Sequence, residues 1–347
     1  MNSKTKDMDV ENRVNKNPTM VDVARHAGVS LKTVSRVLNG EAHVRKKTRD
    51  AVVESANKLD YRLNLAARNL RVGAQQNILL LMNNPSRSYI QNMHFGAMMQ
   101  CQQMGIQVHL NIDPLSAQQL EIIIQKLSPS GIIVAPPLCD DDSILDILHK
   151  LDTKYVAISP KNPAKTKLSV NIGDEKAAFE MTQYLIKLGH RDIGFIKGHP
   201  DHGASEKRLR GYLRALRSAN ITPNEDIILD GLFDYDSGLS AAQKFFNLPK
   251  YPSAIFASND DMAAAVMSEA YRRNIRIPDD ISIVGFDDSP IASVISPQLT
   301  TLRQPLEALA QRAVRLLHDN LSMMSGGQKI LTLEHELIIR SSSGPMA

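Results

Sequence analysis

Six residues in the C-terminal three quarters of the chain have side chains suited to holding a small polar molecule. They are Ser88, Tyr89, Arg208, Phe233, Asn259 and Asp287. Arginine and carboxylate groups fix hydroxyl groups through charge-assisted hydrogen bonds, and an aromatic ring can cover an apolar ring face. The set therefore predicts a site for a neutral polyhydroxyl ligand. Phe233 has a second interpretation as an ordinary core residue, because a lone aromatic after a strand is usually buried in the core.

Five of these residues follow an apolar run that predicts a buried strand. Phe233 follows the short LDG segment at 229–231. The clearest runs are NILLLM (77–82), IQVHLNI (106–112), GIIVA (131–135), YVAIS (155–159), IGFIK (193–197), AIFAS (254–258) and ISIVGF (281–286). Amphipathic stretches between them predict helices over 90–104, 117–127, 174–188, 207–219, 237–246, 260–273 and 305–321. This alternation predicts βαβ units, in which ligands bind at the carboxyl ends of parallel strands. The strands form two sets on either side of about residue 172, which favours two α/β lobes.

Motifs of the common enzyme classes do not occur in the sequence. GxSxG, GxxxxGK[ST] and HExxH are absent, and no GxGxxG follows the first predicted strand. His199 and His202 have HxxH spacing in a predicted loop without further ligands, so we expect no metal and no cofactor. Asp260 is predicted to cap a helix, which leaves it outside the site. Adjacent Asp287 and Asp288, if extended, would point in opposite directions and form a poor acid/base pair.

The segment TMVDVARHAGVSLKTVSRVLNG (19–40) predicts two short helices joined by a tight turn. Thr19 and Ser30 are suitable N-caps, and Gly28 supplies the left-handed residue of the turn. Apolar residues at helical spacing are Val21, Val23, Ala24, Val34, Val37 and Leu38. The opposite face of the second helix carries Leu31, Lys32, Ser35, Arg36 and Asn39. This spacing is typical of a helix-turn-helix, whose second helix reads the DNA major groove, although an ordinary helical hairpin would share it.

A third predicted helix completes this N-terminal unit. KTRDAVVESANKLDY (47–61) offers Val52, Val53, Ala56 and Leu59 to a three-helix core. Residues 1–72 contain 15 Lys and Arg against 8 Asp and Glu, whereas the remaining 275 residues contain 26 against 29. Such a basic end is expected of a module that meets a polyanion. We expect Arg36 or Lys32 to contact guanine edges and the basic residues at 46, 47 and 49 to contact phosphates.

The segment YRLNLAARNLRVG (61–73) predicts a short hinge helix that Asn64 caps. A helix of this length needs a partner surface to be stable in water. Ala66 and Ala67 would let two such helices approach closely, and Leu70 would then be an apolar wedge for a minor-groove base step. The alternative is a linker helix whose Leu70 packs on its own domain; we favour the wedge.

These motifs, followed by GHRDIGFIKG, RLRGYLRAL, ASNDDMAAAV, IPDDISIVGFDDSP and PQLTTLRQP, resemble the lactose-repressor (LacI/GalR) family of bacterial transcription regulators. The resemblance spans nearly everything after residue 18. It implies an N-terminal all-α helix-turn-helix headpiece and a two-lobed, periplasmic-binding-protein-like, doubly wound α/β core. Leu63 stands where many members have proline before Asn64, which leaves the start of the hinge less restricted.

The domain organisation predicted from motif and resemblance has five parts. Residues 1–17 are a disordered tail, 18–63 the headpiece, 64–73 the hinge, 74–341 the effector-binding and dimerisation core, and 342–347 a second tail. The resemblance implies three crossings between the lobes, near residues 172, 302 and 333. The N-lobe would then comprise about 74–172 and 303–333, and the C-lobe about 173–302 and 334–341.

The function implied is a cytoplasmic, homodimeric repressor that leaves a palindromic operator when a sugar or glycoside binds. The predicted DNA contacts are Thr19, Leu31, Lys32, Thr33, Ser35, Arg36, Asn39, His43, Asn64, Ala67 and Leu70. Members that bind DNA better with a corepressor share the same pocket positions, so both directions of regulation stay open. A sugar-processing enzyme fused to a DNA reader and an exported solute-binding protein are the other hypotheses. Turnover of sugars would reveal the first, and localisation the second.

Overall fold

A computed structural model describes residues 19–38, 44–59, 76–321 and 327–346. The described residues form two compact units that divide at residue 74. No helix within these ranges combines the length and the apolar character that a bilayer crossing needs. Cys101 and Cys139, the two cysteines of the sequence, are buried and free.

The N-terminal unit contains three helices: α1 (Met20–Ala27), α2 (Leu31–Leu38) and α3 (Lys46–Lys58). The caps are those predicted. The Thr19 hydroxyl accepts from the Asp22 backbone N–H at 3.4 Å, the Ser30 hydroxyl accepts from that of Thr33 at 3.1 Å, and Gly28 has φ +64°. The turn is therefore held at both helix ends.

The apolar core of this unit is small, and buried Ser55 lies in the same interior. Its buried members are Val23, Ala24, Val34, Val37, Val52 and Ala56. Two positions predicted to face inward do not: Val21 and Val53 are 49% and 45% exposed. Val53 directly follows buried Val52, and Val21 precedes buried Val23 by two residues. Because a helix turns about 100° per residue, each exposed valine points away from its buried neighbour.

The first sheet of the C-terminal unit has six parallel strands in the order β11-β5-β4-β3-β1-β2. The strands are β1 (Asn77–Leu81), β2 (Gln107–Asn111), β3 (Gly131–Val134), β4 (Tyr155–Ile158), β5 (Leu168–Ile172) and β11 (Lys329–Leu333). Helices α4 (Arg87–Met104), α5 (Ala117–Leu127), α6 (Asp142–Lys150) and α12 (Leu306–Leu321) accompany it. Successive β1 side chains enter different apolar clusters, Ile78 one and Leu79 the other. Both faces of the sheet are thus covered, as in doubly wound folds.

The second sheet has four parallel strands in the order β7-β6-β8-β9. These are β6 (Ile193–Ile196), β7 (Ile228–Leu229), β8 (Ala254–Ala257) and β9 (Ser282–Val284). The accompanying helices are α7 (Asp174–Lys187), α8 (Gly203–Ser218), α9 (Tyr235–Phe246), α10 (Asp260–Arg272) and α11 (Pro290–Val294). Two further strands, β10 (Thr301–Arg303) and β12 (Glu336–Ile338), pair antiparallel.

The chain passes between the two sheets three times. It leaves the first sheet after β5, returns after β10 to form α12 and β11, and leaves again through β12. Strand β5 (LSVNI) is missing from the apolar runs predicted above because polar Ser169 and Asn171 interrupt it; both are buried. The α/β class and the two-sheet core are as predicted.

Candidate functional sites

The outer face of α2 is the candidate DNA-reading surface. Leu31, Lys32 and Arg36 are exposed, Thr33 and Ser35 are half-buried, and Thr19 is exposed at the start of α1. Leu31 leaves 42% of its surface to solvent. The predicted contacts Asn39, His43, Asn64, Ala67 and Leu70 lie outside the described residues, as does the whole hinge segment 61–73.

A cavity in the C-terminal unit collects most of the predicted ligand contacts. Its lining comprises Asn84, Ser86, Tyr89, Pro136, Ser159, Asp174, His202, Ala204, Arg208, Phe233, Asn259, Asp287 and Gln304. Apart from Gln304, these residues come from the segments that follow the strands of the two parallel sheets, the place where open α/β folds bind ligands. The lining surrounds about 40 Å³ of free space.

Ser88 is the one predicted contact that the structure places outside this lining. Its hydroxyl is 3.0 Å from that of Ser86, which lines the cavity instead. Helix α4 begins at Arg87, three residues before its predicted start, so the serine that precedes the helix is the one beside the cavity. Tyr89 does line the cavity, and burial raises the pKa of its hydroxyl well above the usual range. It is therefore a neutral hydrogen-bond donor and acceptor.

Arg208 is held firmly in place by three different contacts. Its Nε donates to Asp174 Oδ1 at 2.9 Å, its Nη1 donates to the Ser258 carbonyl, and its guanidinium carbon lies 3.5 Å from the centroid of the Phe286 ring. The arginine is only 4% exposed. Within the described chain its Nη2 has no hydrogen-bond acceptor, so this is the nitrogen available to a ligand.

Asp287 lies in an unusual turn after β9. Its φ is +118° and that of Asp288 is +52°, so the two residues are not extended. The Asp287 carboxylate accepts a hydrogen bond from Gln304. Burial raises the pKa of this carboxyl to about 7, although Arg208 and Gln304 lower it. A ligand hydroxyl that donates to Asp287 would therefore favour its charged form.

Asn259 and Phe233 are joined by a hydrogen bond. The Asn259 side-chain amide donates to the Phe233 carbonyl at 2.8 Å, and its oxygen caps α10 by accepting from Met262 at 3.0 Å. Asn259, rather than the predicted Asp260, is thus the N-cap. Phe233, at φ +63°, is 6% exposed and also belongs to the core of the second sheet. The ring therefore lines the cavity and packs in the core, and its contact with a ligand stays a prediction.

His202 is a cavity residue that sequence reasoning considered only as a metal ligand. Burial is the main cause that lowers its pKa to about 4, with His199 and Arg208 adding to the effect. Its ring lies 5.6 Å from that of Phe233 and 5.3 Å from that of His199. The imidazole is thus neutral at neutral pH. Among the described residues, no group of three or more His, Cys, Asp and Glu is placed to hold a metal ion.

Asp174 and Gln304 were also missed as lining residues. Asp174 follows β5, so recognition of that strand would have led to it by the same rule that found Asp287. Gln304 follows β10, whose three residues leave no periodic signal in the sequence.

Comparison with known proteins supports both units. The family model described as "Bacterial regulatory proteins, lacI family" matches residues 19–64, and "Periplasmic binding protein-like domain" matches residues 182–343. An HTH-type transcriptional repressor PurR from Vibrio campbellii (strain ATCC BAA-1116) is 30% identical over 332 residues, which span 93% of this chain and 98% of that protein. The chain belongs to the LacI family.

Solved structures of LacI-family proteins agree with this assignment. The transcriptional regulator CelR in complex with cellobiose is 29% identical, with a TM-score of 0.72. The match covers 94% of this chain and 100% of the CelR chain. The lac repressor dimer bound to operator and the anti-inducer ONPF is 26% identical, with a TM-score of 0.70, over 95% and 100% of the two chains. The resemblance drawn from the motifs is confirmed. As a LacI-family member, the chain is a DNA-binding transcriptional regulator with an effector-binding core.

Proposed function

We propose that this regulator represses carbohydrate-utilisation genes and leaves a pseudo-palindromic operator when a small sugar-like effector binds. The observation that carries the proposal is the polar, partly aromatic cavity at the strand ends of both sheets. Arg208, Asp287 and Phe233 give it a fixed donor, an acceptor and an aromatic surface. A related regulator, CelR, has been solved with cellobiose bound.

The chemistry of the lining favours a neutral hydroxylated ligand over an ion. Asp174 already balances the charge of Arg208 at 2.9 Å, and burial keeps the pKa of Asp287 high. Neither group therefore presents a large uncompensated charge to the cavity. Adjacent ligand hydroxyls can instead accept from Arg208 and donate to Asp287, and the bond to Asp287 is charge-assisted once the ligand favours the charged carboxylate.

The size of the cavity links ligand binding to a movement of the lobes. Its 40 Å³ is far below the roughly 300–1,000 Å³ of ordinary ligand pockets. Two contacts join segments of the two sheets beside it: Ser86 Oγ donates to Asp261 at 3.1 Å, and Lys207 Nζ donates to the Pro160 carbonyl at 2.7 Å. A sugar must part these segments to enter. Effector binding is therefore coupled to the angle between the lobes.

On the DNA side, we propose that two headpieces read half-sites with the outer faces of their α2 helices. The two half-sites would lie about one helical turn apart. Hinge helices between them would place Leu70 as a minor-groove wedge; this residue is outside the described part of the chain. The related lac repressor structure is a dimer, which supports a dimer here. Two exposed apolar side chains on α4, Phe95 (44%) and Met98 (38%), support it as well. They stand three residues apart on one face of the helix.

We further propose that the protein acts by binding alone, without catalysis, and works in the cytoplasm where its DNA is. The named relatives are regulators. Incubation with candidate sugars, followed by product analysis, checks the first point. Appearance of a sugar product would support the alternative of an enzyme fused to a DNA reader.

The decisive experiment is a thermal-shift screen against mono- and disaccharides, followed by DNA binding with each sugar that stabilises the protein. We expect at least one sugar to stabilise the wild type and to weaken operator binding. Asp287→Asn should abolish both effects, whereas Asp280→Asn, which changes an exposed surface ion pair, should keep them. A sugar that strengthens operator binding would identify corepression instead. A response retained in Asp287→Asn would show that the effector binds elsewhere.

A further inference from the structure

The turn that carries Asp287 contains two consecutive residues in backbone conformations that favour glycine. Asp287 and Asp288 both have positive φ, at +118° and +52°. Such conformations cost energy in non-glycine residues and persist only where surrounding contacts impose them. The contacts that impose this turn therefore decide where the Asp287 carboxylate lies in the cavity.

Those contacts come mainly from Asp288. Its carboxylate accepts from Arg303 Nε at 2.7 Å and from Arg340 Nη2 at 2.6 Å, and the aspartate side chain is 9% exposed. Arg303 also donates to Glu336 at 2.8 Å, and Arg340 also donates to the Leu299 carbonyl at 2.8 Å. Asp288 thus joins two arginines from chain segments that are far apart in sequence.

Both arginines belong to the connections between the lobes. Arg303 ends β10, which leads into the helix and strand on the first sheet, and Arg340 follows β12, which returns from that sheet. The two strands pair with each other, with Arg303 opposite Glu336. The Asp287 backbone also donates to the Leu302 carbonyl at 2.7 Å. The cavity turn is consequently anchored to two of the three crossings.

We propose that Asp288 is the positioning residue that couples the effector cavity to the crossing strands. It does not line the cavity, and its carboxylate faces Arg303 and Arg340 rather than a ligand. A ligand that moves Asp287 must move Asp288, and the two arginines transmit that displacement to β10 and β12. This inference rests on the proposed function, since it assigns the route by which occupancy of that cavity alters the lobe angle.

Hydrogen–deuterium exchange of the full chain tests the anchoring without any ligand. In Asp288→Asn, we expect amides of residues 286–289, β10 and β12 to exchange at least about tenfold faster, because hydrogen bonds to a charged group are lost. Strand β6 should keep its protection. Asp280→Asn is the matched control, since that aspartate also holds an arginine, Arg276, at 2.6 Å but lies outside the crossings. Arg303→Gln, which leaves Arg340 in place, should give a smaller change in the same segments.

Other exchange patterns would overturn the inference. Unchanged exchange in Asp288→Asn would show that the turn is held by other contacts. Faster exchange throughout the unit, β6 included, would show that Asp288 only contributes to overall stability.

The coupling itself is measured with ribose, lactose and cellobiose on DNA that the protein selects from a random pool. For a saccharide that binds the wild type, Asp288→Asn should retain binding but lose its effect on DNA affinity, so that the ratio of Kd values with and without saccharide approaches one. If Asp288→Asn had the same ratio of Kd values as the wild type, Asp288 would not couple the cavity to the crossing strands. If none of the three sugars binds the wild type, the proposed sugar class fails for these ligands, and the exchange pattern alone decides the role of Asp288.

Discussion

The headpiece and the effector cavity place their functional groups in opposite environments. On α2 the candidate reading residues Leu31, Lys32 and Arg36 are exposed, while apolar side chains form most of the core beneath them. In the cavity Asp174 and Arg208 are buried, Arg208 at 4% exposure, and each compensates the charge of the other. A functional change on α2 should therefore leave the fold intact. In the cavity, ligand binding and stability should change together.

The largest effect that this comparison predicts is that of Arg208→Ala. The sequence indicates only a ligand contact, but the structure makes Arg208 the partner of buried Asp174. Removal of one member of a buried pair costs about 3–5 kcal/mol, so the unfolding free energy of the core should fall by that amount together with effector binding. Chemical denaturation measures it. The control Arg276→Ala changes an arginine that is 68% exposed and should lower the unfolding free energy by less than about 1 kcal/mol. Equal losses of unfolding free energy in the two variants would contradict the difference between buried and exposed arginines.

Val34→Ala should destabilise the headpiece by about 1–3 kcal/mol because it opens a cavity in a very small core. DNA binding should weaken, while sugar binding and the unfolding of the core stay unchanged. Denaturation followed separately by headpiece and core probes would show this. A matched Val53→Ala change, at a position 45% exposed, should have little effect. A shift of the core transition in Val34→Ala would contradict the independence of the two units.

Arg36→Ala should reduce discrimination between specific and random DNA by about 1–3 kcal/mol. Lys46→Ala should instead weaken binding to all sequences. It should also reduce the slope of the logarithm of the binding constant against the logarithm of salt concentration by about one. Titrations at several salt concentrations separate the two. If Arg36→Ala weakened all sequences equally, Arg36 would be a phosphate contact rather than a reader.

The last prediction is a pH dependence of core stability that comes from Asp287. Its pKa lies near 7 in the fold against an ordinary value of 3.8, so between these pH values the folded state binds more protons than the unfolded state. The contribution of this group to stability therefore falls as pH rises from about 4 to 7. Asp287→Asn should gain stability relative to the wild type over that range. A constant difference between the two proteins would contradict a protonated Asp287 in the folded state.

The fold could be predicted largely because its signals are local. Periodicity gave α5 with its observed ends, and the caps Thr19 and Ser30 are where the sequence placed them. The failures also have local causes. Strand β5 carries buried polar residues, and helix α8 begins four residues before its predicted start because it opens with GASE, which has no apolar period.

The cavity was harder to predict because its geometry depends on contacts distant in sequence. The strand-end rule pointed to Asp287 and Asn259, which do line the cavity. It did not lead to Gln304, which follows the crossing strand β10, or to Asp174, the ion-pair partner of Arg208, because β5 was not recognised. Nothing in the local pattern around Asp288 indicates two arginines from other segments.

Operator binding that a sugar weakens is tested most directly by selection of DNA from a random pool with the purified full chain. Affinities for the selected DNA are then measured with and without each stabilising sugar. We predict enrichment of a pseudo-palindrome and a loss of affinity for it, by about 5- to 150-fold, when the sugar is present. Equal affinity for the selected and random DNA under both conditions would contradict the account.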